Sequence, residues 1–283
     1  VVTTISNNQI TASIKHMGAE LFSLVNSANK EYMWNGNPDF WPKHSPVLFP
    51  IVGSLQHESY TFNEQVYTLS RHGFARDLEF ELTEKTESSA LFSLSATKET
   101  LQKYPFNFKL QIRYVLEENS IKISYNVINE GAIDMPFSIG AHPAFSLPRS
   151  FTDYNLEFEK DEELQYFLLE EGLISEKETL LPLANRRLAL NYQLFENDAL
   201  VFKSIASRSL TILENTKPYI RINFSDFPHL GLWTKPGAPF LCIEPWQGYS
   251  DTVTNGGNLF QKEGILIAAE GQSYDFLYEI ELL

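Results

Sequence analysis

Sulfur chemistry is almost missing from this chain. Cys242 is its single cysteine among 283 residues, so no internal disulfide can form and nothing points to an oxidising compartment. Positive charge is also scarce. Lys and Arg total 22 against 36 Asp and Glu, a formal charge of −14. Nucleic acid needs a basic face to bind, and an anionic membrane surface repels an acidic protein, so neither is expected as a partner. No apolar run approaches the roughly 20 residues of a membrane span. The opening Val1-Val2-Thr3-Thr4-Ile5 lacks the basic-then-apolar pattern of a signal peptide. Cytoplasm is the expected location. Repeats, low-complexity tracts and Gly, Ser or Pro-rich linkers are absent too, which points to one domain over residues 1–283. Helical periodicity is confined to residues 97–104, where Pro105 would stop it.

Period-two alternation is what the chain has in quantity. Phe108, Leu110, Ile112, Tyr114 and Leu116 alternate with polar residues, and Ile121, Ile123, Tyr125 and Val127 do the same after a Glu117-Glu118-Asn119-Ser120 turn. That pair predicts a long antiparallel hairpin. Further strands are expected at 10–15, 66–69, 78–82, 91–97, 135–141, 164–169, 210–214, 219–224, 230–234 and 274–281. The hydrophobic share of 43% fills a sizeable core. The expected architecture is all-β: a single large antiparallel β-sandwich with few short helices and with the site on its loops. Residues 36–56 form the longest irregular stretch and hold Pro38, Pro42, Pro46, Pro50 and Gly53. Long loops in compact domains are often functional.

Three short phrases carry proton-transfer residues: Arg71-His72-Gly73-Phe74-Ala75-Arg76, Gly140-Ala141-His142-Pro143-Ala144-Phe145 and Cys242-Ile243-Glu244-Pro245-Trp246-Gln247-Gly248. Two imidazoles and a carboxylate can run acid/base chemistry without a cofactor. The small and aromatic neighbours suit a sugar, which has an apolar face and a rim of hydroxyls. Each residue also has a plainer reading. His72 fits a loop imidazole bonded to backbone, and His142 a half-buried strand-end histidine with Gly140 leaving space beneath its ring. Glu244, at the end of an apolar run, fits a structural carboxylate at a sheet edge. Asp198 alone reads as a solvated turn residue, Cys242 as a core filler, and His16, His44, His57 and His229 as structural. Phe74 and Trp246, with Trp34, Trp41 and Trp233, fit either core packing or stacking on a pyranose.

At these phrases the chain resembles the aldose 1-epimerase (galactose mutarotase) family, in particular its short bacterial branch associated with lactose genes. The resemblance spans nearly the whole chain. It implies a galactose mutarotase-like sandwich with the sugar in an open cleft. It also implies Glu244 as general base, His142 as general acid and His72 as a histidine bonding the sugar near the ring oxygen. Asp198 would hold sugar hydroxyls. Better-known members carry an Asn-Arg pair where this chain reads Phe49-Pro50-Ile51-Val52-Gly53-Ser54-Leu55. A sugar-binding arginine must then come from elsewhere, and Arg71 and Arg76 are the candidates. An extended loop would send Arg71 and His72 different ways, so at most one arginine is expected in the cleft.

The expected activity is mutarotation of a free aldohexose, with Glu244 ionised, His142 protonated, and no metal or other cofactor. The sugar is the one expected partner. Rival readings are a hexose-6-phosphate 1-epimerase, a non-catalytic carbohydrate-binding protein, a metal hydrolase using His72, His142 and Glu244, and a glycosidase pairing Glu244 with Asp198.

Overall fold

Two large antiparallel sheets organise the chain, as the alternation predicts. The computed structural model describes residues 1–181, 183–254 and 257–283. The larger sheet runs Arg187–Ala189, Tyr154–Phe158, Ser209–Glu214, Lys217–Asn223, Ser273–Leu282, Ser120–Asn129, Phe108–Glu117, Ser89–Ser95 and Glu81–Lys85. Its centre is the expected hairpin, in register from Ser120–Glu117 to Asn129–Phe108. The second sheet runs Leu173–Leu181, Leu164–Glu170, Leu200–Phe202, His229–Trp233, Phe240–Gln247, Ile139–Ala141 and Val47–Leu48. Ala144–Ser146 pairs with Phe240–Gln247 as well. A three-stranded sheet, Val2–Ser6, Ile10–Lys15 and Leu21–Asn26, and two ribbons complete the strands of the described residues.

Side-chain alternation sets the sandwich. Leu110, Ile112 and Tyr114 of the first sheet and Leu241 and Ile243 of the second belong to one buried cluster. Because successive side chains point to opposite faces, Cys242, Glu244 and Trp246 then lie on the other face of the second sheet. Among the described residues no helix is long and apolar enough to cross a membrane. The one α-helical turn among the described residues, Lys98–Leu101, is closed by a capping box between Thr97 and Thr100.

Two strand expectations need correction. Residues 135–141 are not one strand. Met135–Phe137 pairs with Leu266–Ala268, whereas Ile139–Ala141 joins the second sheet. Ser138 is the switch point, and its N–H leaves the ladder for the Pro50 carbonyl at 2.8 Å. The strand expected at 78–82 instead covers Glu81–Lys85, because a 3₁₀ turn at Ala75–Asp77 and an N–H bond from Phe80 to the His16 carbonyl occupy the preceding residues.

Candidate active site

Strand register brings His142 and Glu244 together. Gly140 lies opposite Trp246, and Ala144 lies opposite Cys242. His142, midway between Gly140 and Ala144, therefore falls opposite Glu244. Pro143 leaves no N–H to pair there, and the Ile243 N–H donates to its carbonyl at 3.2 Å. The result is a cross-strand pair with His142 Nε2 at 3.1 Å from Glu244 Oε2. Glu244 is not at a sheet edge. It sits inside Phe240–Gln247, with Gly231 opposite on the other side. Only 1% of it and 8% of His142 are exposed.

A cavity of about 240 Å³ opens over this pair, lined by Trp41, Arg71, His72, Arg76, His142, Asp198, Ala199, Trp233, Glu244 and Trp246. Seven of the eight residues singled out from the sequence for catalysis or binding are among them. Phe74 is the exception. It is buried, and its ring packs against Phe49, Tyr104 and Phe108. Its place is in the sandwich core, because the turn at His72 and Gly73 (φ +68° and +69°) swings the chain inward after the histidine. The same left-handed turn corrects the arginine expectation. Residue 72 is not extended, so Arg71, His72 and Arg76 all reach the cavity.

Trp41 and Trp233 complete its walls. Trp41, from the 36–56 loop, stacks on the His142 ring at 4.8 Å and 24°, and Trp233 meets that ring edge-on at 6.0 Å. Trp246 lies across two glycines of the flanking strands. A Cβ on Gly140 would stand 2.7 Å from its ring, and one on Gly231 would stand 2.6 Å from it. Gly140 therefore makes room for Trp246, and not for His142 as its position suggested. Gly231 was missed in the sequence, since its meaning depends on which strand lies beside it.

His72 is fixed by the loop that precedes it. The buried Gly53 N–H donates to Nδ1 at 3.1 Å, while Arg71 Nε stands 3.3 Å from Nε2. Burial, helped by Arg71, His142 and Arg76, pushes the pKa of His72 well below its ordinary value. A neutral ring carries one N–H and can accept from only one of these donors. The Gly53 amide is held by the backbone, whereas the Arg71 side chain is 45% exposed. Nδ1 thus keeps the lone pair, and Nε2–H is left for the cavity. Arg71 Nη1 reaches Asp198 Oδ2 at 3.8 Å, and Asp198 Oδ1 accepts the Ala199 N–H. Arg76 donates to the Arg71 carbonyl and pairs with Asp77.

Burial acts on both members of the central pair. Burial pushes Glu244 well above the usual carboxylate range. Arg71 pulls it back only partly, and Asp198 adds to the rise. Burial also lowers His142, to about 3, with Arg71 and Arg76 adding to the drop. In the bare cleft burial thus works against a charge on either partner. Glu244 Oε2 and His142 Nδ1 make no hydrogen bond there.

An all-β sandwich with a buried histidine–glutamate pair under an indole-walled cavity is the arrangement of a galactose mutarotase-like fold. The comparisons with known proteins agree. The aldose 1-epimerase family model matches residues 1–266. Chromosomal protein LacX of Lactococcus lactis subsp. lactis is 34% identical over 294 aligned positions, covering 99% of this chain and 98% of LacX. A galactose mutarotase-like protein from Lactobacillus casei superposes with TM-score 0.95 at 32% identity, over 100% of both chains. A galactose mutarotase related enzyme from Lactobacillus acidophilus gives 0.94 at 30%, covering 100% of this chain and 97% of its own. The chain belongs to the aldose 1-epimerase family.

Proposed function

We propose that this protein is a mutarotase that interconverts the α and β anomers of a free aldohexose. The observation that carries the reading is the buried His142–Glu244 contact at 3.1 Å on the floor of a cavity of monosaccharide size. A binding module needs no such pair, because proton transfer is not part of its task.

Mutarotation moves one proton on and one proton off. Glu244 takes the proton of the anomeric hydroxyl while His142 gives one to the ring oxygen. The bond from C1 to the ring oxygen breaks, the C1–C2 bond turns, and the hydroxyl adds to the other face of the aldehyde with the two roles reversed. The pair must therefore hold one proton in total. It does so whether written as carboxyl and imidazole or as carboxylate and imidazolium. Burial favours the first form in the bare cleft, and sugar hydroxyls donating to Glu244 favour the second. His72 Nε2–H donates to a sugar oxygen near the anomeric centre. Arg71 and Asp198 bond hydroxyls at the rim, and Trp41, Trp233 and Trp246 face the apolar side of the ring. One continuous buried cluster, from Ile5 to Leu282, supports reading the chain as a single domain. With one cysteine and a strongly acidic surface, cytoplasm is the location we assign.

A 6-phosphorylated aldose is the second reading, favoured by the presence of both arginines in the cavity wall. Against it, among the described residues no lysine lines the cavity, Arg71 faces the Asp198 carboxylate, and Arg76 already serves the Arg71 carbonyl and Asp77. The test is anomer exchange measured by NMR on galactose, glucose and their 6-phosphates. A higher specificity constant for a free sugar supports the first reading, and a higher one for a phosphate replaces it with the second. Exchange at the spontaneous rate for all four would overturn both.

A further inference from the structure

We propose that Cys242, His142 and Glu244 form a three-ligand site for a thiophilic divalent cation, Zn²⁺ by its coordination chemistry, whose occupancy stops proton transfer in the cleft. The blocking effect rests on the acid/base reading above; the binding of the cation does not.

The thiol, imidazole and carboxylate ligand atoms all lie within 4.8 Å of one another, and all three residues are buried. Register explains the cluster. Cys242 and Glu244 are two apart on one strand and share its cleft-side face, while His142 stands opposite Glu244. A second observation points to a ligand. Glu244 Oε2, which faces His142 Nε2, is buried with no hydrogen bond, and Glu244 itself is 1% exposed.

Zinc takes sulfur at about 2.3 Å and nitrogen or oxygen at about 2.0–2.2 Å, so donors in a tetrahedron stand roughly 3.3–3.7 Å apart. His142 and Glu244, at 3.1 Å, already have close to that spacing. The sulfur starts no farther than 4.8 Å from either partner, so it closes by about 1.3 Å at most to reach that tetrahedral spacing. The cavity above supplies the open fourth position. Thiolate and imidazole select zinc over magnesium or calcium, which require oxygen ligands. Binding releases the thiol proton to water, together with any proton held by Glu244. Thiolate, carboxylate and neutral imidazole then balance the two charges of the ion, and an uncharged complex suits a buried floor. The bound ion takes up the two lone pairs that proton transfer uses.

The experiment uses the full chain stripped of metal with a chelator and titrated with Co²⁺ as spectroscopic probe and with Zn²⁺. One equivalent of Co²⁺ and a thiolate-to-cobalt charge-transfer band are expected, with Zn²⁺ stopping anomer exchange and EDTA restoring it. Cys242→Ser and Cys242→Ala should keep wild-type exchange, lose the band, and bind Zn²⁺ at least about tenfold more weakly. No stoichiometric Co²⁺ binding, no thiolate band, or unchanged Zn²⁺ affinity in the cysteine variants overturns the site. Should thermal melts show both cysteine variants unfolded, His142→Asn in the same Co²⁺ titration decides: lost binding supports the site, and unchanged binding overturns it. A protein with thiolate-bound Co²⁺ but no exchange of any aldose sinks the functional reading and leaves the metal site standing. An active enzyme that binds no Co²⁺ does the reverse.

Discussion

Glu244→Gln separates chemistry from binding more cleanly than any other change in this site. Burial already holds the carboxyl toward its neutral form in the bare cleft, and an amide matches that form in charge and size. The fold should therefore tolerate it, with a melting temperature close to wild type. Sugar affinity should change little, because hydroxyl contacts at the rim are untouched. Proton transfer is another matter, since an amide neither accepts nor releases a proton near neutral pH. A positioned acid or base is worth about 10² to 10⁴-fold, which is roughly 2.7–5.5 kcal/mol of barrier. The rate constant for anomer exchange at saturating sugar, measured by exchange NMR and corrected for the spontaneous reaction, should fall by that factor. Calorimetry should return a similar dissociation constant. His142→Asn should cost a similar factor, and the double variant much less than the product, because the two residues act as one unit. An E244Q protein that is folded, binds sugar and turns over at the wild-type rate would refute the reasoning.

Three further outcomes follow from the same structure. The one-proton pair should give specificity constants (kcat/KM) that stay level around neutrality. The acid limb lies near the lowered His142 value of about 3, and the alkaline limb appears where the raised Glu244 loses its proton; a pH profile with both limbs close to their ordinary values, about 4.3 and 6.5, would contradict this. Gly231→Ala places a Cβ 2.6 Å from the Trp246 ring, an overpacking worth about 1–3 kcal/mol. Calorimetry should show a lower melting temperature and kinetics a lower exchange rate, whereas a variant unchanged in both would show that the indole moves freely. Burial alone would raise the pKa of Glu20, but bonds from the His44 side chain and backbone, with Lys15, lower it from 4.5 to about 2. Its folded value is depressed, so the stability it adds is full above the unfolded value and lost as pH falls toward 2. At about 1.36 kcal/mol per unit this is roughly 3 kcal/mol, and urea melts of Glu20→Gln should lie below wild type at pH 7 and converge with it near pH 2.

Residue pattern alone revealed much of this molecule, and the failures have physical causes. Strands with one buried face announce themselves, as Phe108–Glu117 and Ser120–Asn129 do. Strands buried on both faces do not. Phe240–Gln247 is buried at every position but its last, so its alternation is invisible, and Glu244 looked like an end where it is a middle. Gly140 and Gly231 serve an indole from an adjacent strand, a relation that exists only once the sheet is paired. The arginines were misjudged because one left-handed residue, His72, reverses what extended geometry predicts. Phe74 was misassigned for the same reason: a phrase is contiguous in sequence, but a turn inside it divides its side chains between cleft and core.

The buried sheet interior accounts for the chemistry as well as for the geometry. A carboxylate at a rim would keep its ordinary acidity and stay solvated. Seated mid-strand between His142 and Gly231, Glu244 is almost wholly buried, and burial raises its pKa as it lowers that of His142. Each displacement disfavours a charge. Together they favour a pair that holds one proton, which is the state that the proposed ring opening needs. The proton can then sit on either partner, and the sugar's own hydroxyl and ring oxygen decide which. That freedom suits a reaction whose forward and reverse halves exchange acid for base.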